Sequence, residues 1–233
     1  MNNSQVRNNE RAQRVISNID SQPEDFPEES KGAKLSASIK QDLVRLAELD
    51  VIRSSSMSRH KQATAARRHA NKLLTDLVMK TIGTAEVIAL DHSDFKGMFV
   101  RPQRNANGQT LIADARSIAE KAASVVGLFT ENSMAPTLVN DLESHADSLQ
   151  HAMELQTQSE GERMRANAEI KQVTRHLKEL IERLDIIVRN KYANDLAKLA
   201  AWKSARRLEH PPHSKRDGGN NAPPPANNTP PTA

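Results

Sequence analysis

The sequence predicts an all-α protein, an elongated helical bundle with two long helices, two or three shorter ones and a disordered C-terminal tail. Apolar side chains recur at spacings of three and four through residues 30–91 and 135–193, which puts them on one face of a helix in each stretch. Pro23, Pro27, Pro102 and Pro136 stand between such blocks, and the other seven prolines follow residue 210. Proline removes a backbone donor and disfavours helix in the residue before it, so these four mark joints. With 37% hydrophobic and 3% aromatic residues, burial must come from Leu, Ile, Val, Ala and Met, which suit thin helical seams better than a thick globular core.

Residues 4–20 carry a weak apolar stripe of Val6, Val15, Ile16 and Ile19 and predict a first short helix. The segment SQPEDFPEESKG ends it and returns the chain, so residues 1–29 read as a helix plus a proline-containing turn. From Ser30 to Asp91 there is no proline. Leu35, Ile39, Leu43, Leu46 and Leu49 repeat at helical spacing, and Ala63, Ala66, Ala70, Leu73, Leu77, Thr81, Ala85 and Ile88 follow. The polar middle, residues 53–61, lowers helix propensity.

Residues 91–109 hold Gly97, Pro102 and Gly108 and form a connection, in which Phe95, Met98 and Phe99 should pack onto the bundle. Asn107 is the expected N-cap of one helix over 109–131. Ser133 or a neighbour should cap the next, with Pro136 in its first turn. That helix, 135–193, would be roughly 88 Å long at ~1.5 Å per residue. Its apolar repeat runs through Leu142, Ala146, Leu149 and Met153, fails where Gln156, Glu160 and Arg163 occupy the seam, and resumes at Ala166. Both long helices thus lose their seam near the midpoint, around 53–61 and 156–163. Continuous but bent helices, with the polar sections facing water or each other, are the expectation. Asn194 should cap a last helix bearing Leu196, Leu199 and Trp202, completing a bundle over 30–207. Residues 208–233, rich in Pro and Asn, predict disorder.

No apolar run reaches the ~20 residues that span a bilayer, and neither end reads as a signal or an anchor. The absence of cysteine removes disulfides, thiolate metal sites and a cysteine nucleophile. A cytoplasmic protein with no membrane association and no cofactor is expected.

Catalytic constellations are missing too. No Glu-x-x-His pair of a carboxylate-bridged metal site occurs, and no phosphate-binding loop or nucleophile elbow. Asp141 with His145, Asp147 with His151, the Asp91, His92, Asp94 group and His176 beside Glu179 read as ion pairs and turn chemistry. The expectation is therefore no enzyme and no metal site.

Charge is uneven. Residues 163–216 hold 14 Lys and Arg against 6 Asp and Glu, a surplus of eight in a chain of net charge +4. The candidate interaction surface is Arg183, Arg189, Lys191, Tyr192, Lys198, Trp202, Lys203, Arg206 and Arg207. Trp202 should anchor the last helix and leave the cations outward as a basic rim. A non-enzymatic scaffold or interaction protein, with an unknown protein partner or self-association, is the leading reading. Nucleic-acid binding through the basic C-terminal region is the alternative, since mixed cations and aromatics contact phosphates and stack on bases.

The segments ALDHSDFKGMFVRPQRNANGQTLIADARSIAEKA, LFTEN with LVNDLESHADSLQHAM, and RLDIIVRNKYANDLAKLAAWKSARRLE together resemble an uncharacterised family of all-helical bacterial proteins. The shared elements RLD, IVRN and LAAW fall here at Arg183 to Asp185, Ile187 to Asn190 and Leu199 to Trp202, and the likeness covers roughly 30–209. It implies the helical fold and carries no activity, cofactor or substrate.

Overall fold

The computed structural model describes residues 3–103 and 106–209; of the tail expected to be disordered, 208–233, all but the first two residues lie outside them. Of the described residues 83% are helical. Six α-helices follow in order, α1 (Asn3–Asp20), α2 (Lys31–Asp91), α3 (Gly108–Ala123), α4 (Val126–Glu131), α5 (Leu138–Lys191) and α6 (Leu196–Ala205).

The two long helices are uninterrupted. Ser30 starts α2, its hydroxyl accepting from the Ala33 amide at 3.1 Å, which satisfies one of the orphan donors of the first turn. The 61 residues of α2 correspond to about 90 Å at ~1.5 Å rise. It runs antiparallel to α5, as the partners show. Asp42 meets His176, Arg45 meets Glu169, Arg59 meets Glu162 and Arg67 meets Gln156.

Two separate hydrophobic cores hold the ends of this pair. One joins the later half of α2, from Ala70 to Ile88, to α3, α4 and the first part of α5, Leu138 to Leu149. The connection seals it as expected. Phe95 is buried, stacked at 6.2 Å on Phe99, which meets Phe129 edge-on at 5.6 Å. Arg101 clamps Glu86 through two bonds of 2.9 and 2.7 Å, tying the outer loop back to α2. The second core joins α1, the first part of α2 (Leu35 to Leu49), Ile170 to Val188 of α5, and α6.

Several local expectations are corrected. The helix expected over 109–131 is two, α3 and α4, broken at Ser124 and Val125. Ser124 turns its hydroxyl onto the Lys121 carbonyl at 2.9 Å, and Val125, Val126 and Gly127 follow, all weaker helix formers than Ala or Leu. The break lets Phe129 turn fully into the core. Ser133 does not cap α5. It has φ +63° and closes α4, while α5 opens after Thr137, whose hydroxyl is spent on the Asp141 carboxylate at 2.9 Å. Pro136 therefore precedes the first turn. Asn107 caps α3 as read, accepting from the Thr110 amide, but Asp195 and not Asn194 caps α6, accepting from the Lys198 amide. Val6, Leu73 and Leu196 are exposed, and Ala12 and Leu74 take inward places instead.

Between the cores lies a waist formed by α2 and α5 with no third helix among the described residues packed on it. The polar sections face each other there. Glu162 accepts from Ser56 at 3.2 Å and from Arg59 at 2.6 Å, and Gln156 accepts from Arg67 at 2.9 Å while donating to Thr64 at 3.3 Å. Small side chains, Ser56, Ala63, Ser159 and Ala166, fill the buried seam. Hydrogen bonds thus replace apolar contact over this section, at far less apolar area removed from water.

Candidate interaction surface at the end of the bundle

The nine residues read from the sequence as a contact surface gather where α5 ends. Lys191 is the last residue of α5, and Tyr192 to Asp195 turn the chain back into α6. Trp202 follows at the end of the second turn of α6 and is fully buried.

Its indole N–H donates to the Asp185 carboxylate at 2.7 Å. The same carboxylate receives Arg206 at 2.9 Å and pairs with Arg189 at 2.6 Å, one turn along α5. A buried carboxylate needs such donors, because an unpaired charge in a core is very costly. Asp185 therefore fixes the rotation of α6 on α5.

A second carboxylate, Asp25, does the same for the N-terminal turn. It accepts from Tyr192 Oη at 2.9 Å and from Lys198 Nζ at 2.5 Å, with Lys191 Nζ at 3.8 Å. Tyr192 also hydrogen-bonds Gln22. Lys191 lies 5.4 Å from the centre of the Phe26 ring and Lys198 lies 5.2 Å from that of Tyr192, geometries in which the ring quadrupole attracts a cation. Phe26 meets Tyr192 edge-on at 6.1 Å.

The charges set one another. The bond from Lys198, then that from Tyr192, lowers the Asp25 pKa below its ordinary 3.8, and Asp25 raises that of Lys198. Burial first, and Asp25 second, push the Tyr192 hydroxyl well above the ordinary value of 10.0. Partial burial, then the nearby Arg206, lowers the Arg11 pKa, so α1 contributes a guanidinium to the same end.

The basic rim expected of this region is corrected accordingly. Arg189, Lys191, Lys198 and Arg206 point to two carboxylates, and Arg183, Lys203 and Arg207 stay exposed. Tyr192 and Trp202 are buried anchors and not stacking platforms. Sequence reading missed Asp25 and Gln22, because their partners are more than 160 residues away. Asp185 with Arg189 was accessible as an i, i+4 pair.

Two of the residues weighed for metal are held by partners outside their groups. Arg116 takes Asp147 at 2.8 Å and Asp42 takes His176 at 2.8 Å, and no group of three or more His, Asp or Glu that could hold a metal occurs among the described residues. A groove of about 250 Å³ opens at the waist between Ala63 and Ala66 of α2 and Leu155 of α5. Among the described residues no helix is long and apolar enough to cross a membrane. No family model, curated protein or solved structure matches this chain, and of the resemblance noted in the sequence the all-helical architecture stands.

Proposed function

We propose that this chain is a non-enzymatic helical interaction protein that presents the length of its α2–α5 pair to a protein partner. The observation that supports it is the division of the apolar interior into two cores, leaving some twenty residues of each long helix without a covering helix. Two antiparallel helices offer extended surface and shallow grooves, the shape that suits helix-in-groove recognition and not the enclosure of a small substrate. A cytoplasmic setting and kinship with the all-helical bacterial family belong to the same proposal. Nucleic-acid binding is the weaker alternative, since four of the seven cations that suggested it are engaged by Asp25 and Asp185.

Affinity capture from native extract with the intact chain, read by mass spectrometry, tests the reading. Recovery of one protein in near-equal amount to the chain is expected. Turnover of a small molecule by the purified chain alone overturns it.

A further inference from the structure

The waist has a chemical character that neither core shares. From Val51 to Thr75 α2 carries Arg53, Arg59, Lys61, Arg67, Arg68 and Lys72 and no Asp or Glu. Three of these are engaged locally, Arg53 by Asp50 at 3.0 Å, Arg59 by Glu162 and Arg67 by Gln156. Among the described residues no carboxylate pairs with Lys61, Arg68 or Lys72, and all three are exposed. With Met57 they recur at intervals of four, seven and four, so the four side chains form one line along the helix.

Apolar surface is concentrated in the same section. Of the fourteen large apolar side chains exposed among the described residues, five, Val51, Ile52, Met57, Leu155 and Met164, fall between the two cores, and of these Met57 shares the line of cations. Met57 and Met164 are 51% and 62% exposed, and the contact of Ser56 with Glu162 puts them at nearly the same level of the rod. Methionine is unbranched and polarisable and adapts to the partner that covers it.

We propose that the waist is the docking surface for an acidic amphipathic helix of a partner protein. Its apolar face would cover Met57 and Met164 and its carboxylates would meet Lys61, Arg68 and Lys72, adding a third helix where the α2–α5 pair has none. The uncovered section of α2, residues 50–69, spans about 30 Å at ~1.5 Å per residue, room for a helix of some twenty residues, and the exposed Lys72 stands within one turn of its end. Nucleic acid would use the cations but leave the methionines in water. A second copy would bring the same unpaired cations against this face. The chain's own residues 210–233 have no large aliphatic or aromatic side chain and hold Lys215 and Arg216 against Asp217, so they supply neither the apolar nor the acidic half.

The inference rests on the interaction reading, and its test separates the two. A labelled amphipathic peptide with Glu on its polar face and Leu and Met on the other is titrated against the full chain by fluorescence anisotropy. Its Lys-for-Glu counterpart and a mixed-sequence DNA strand and duplex are run in parallel. The acidic peptide should bind and weaken as salt rises. The exposed triple variant Lys61→Glu, Arg68→Glu, Lys72→Glu should lose about tenfold or more in affinity, three favourable pairs having become repulsions. Met57→Ser should weaken binding with the charges intact, and unchanged circular dichroism shows that both variants fold. Equal binding of the two peptides, an unaffected triple variant, or binding of DNA in place of the peptide overturns the proposal. A captured partner that still binds the triple variant removes the waist but leaves the interaction reading, whereas turnover by the chain alone removes both.

Discussion

Trp202 and Asp185 tie α6 to α5, a tie the last helix depends on because it has only ten residues and a helix that short does not persist in water by itself. Trp202→Ala should cost roughly 3–5 kcal/mol, the range for deleting a fully buried aromatic side chain. As the chain has one tryptophan, its emission reports directly: a blue-shifted, quencher-protected spectrum is expected, and a water-like one contradicts the docking. Asp185→Ala leaves the indole N–H buried without an acceptor and should cost about 1–3 kcal/mol. Asp185→Asn, which keeps an oxygen, should cost less. The sole tyrosine gives a pH test. Folding raises the Tyr192 pKa above 10.0, so its contribution is complete below pH 10.0 and is lost as pH rises towards the folded value. Asp25 has the opposite sign. Its folded pKa is below 3.8, so its contribution is present above that pH and is lost as pH falls through the lower value. Ultraviolet titration of tyrosinate should place half-ionisation of Tyr192 well above 10.0 in the native chain and near 10.0 in denaturant. Equal values would show that Tyr192 is neither buried nor held by Asp25 in solution. The tryptophan anchor was legible because an aromatic at the end of an apolar repeat has few uses except burial. The Asp25 pairs were not, because nothing local links that residue to Lys198.

Both long helices cross their polar middles without a break, although local propensity there is poor. Antiparallel pairing resolves the conflict, with Ser56, Arg59, Thr64 and Arg67 of α2 meeting Gln156 and Glu162 of α5. Periodicity located these helices to within a few residues, and it located the interruption as well. What it could not supply was the partner surface that makes the interruption tolerable. Helix ends were less legible, because a cap is chosen by one hydrogen bond among several adjacent polar residues, as Asp195 beside Asn194 illustrates. Gly161 and Gly83 sit inside α5 and α2 with open space where a Cβ would stand. Glycine in a helix interior is less stable than alanine, so Gly161→Ala should raise stability by about 0.5–1 kcal/mol in urea unfolding. Gly32→Ala should do the reverse, because its Cβ would overlap the buried Phe26 ring. A loss at Gly161 would mean that α5 is not helical through that point.

At the scale of the molecule, apolar burial sits at two ends and the polar waist connects them. Core contacts stabilise each end independently, whereas the waist helices are held only by each other and by their continuity with the cores. Opening of either end therefore releases the waist on that side, and waist amides cannot be more protected than the weaker core. Hydrogen–deuterium exchange along α2 and α5 measures this residue by residue. The structure predicts two protected blocks, 31–49 with 170–188 and 70–90 with 138–152, separated by faster exchange through 50–69 and 154–169. Uniform protection along both helices, with the waist as slow as its flanks, would contradict the division into two cores and the uncovered surface that the proposed function depends on.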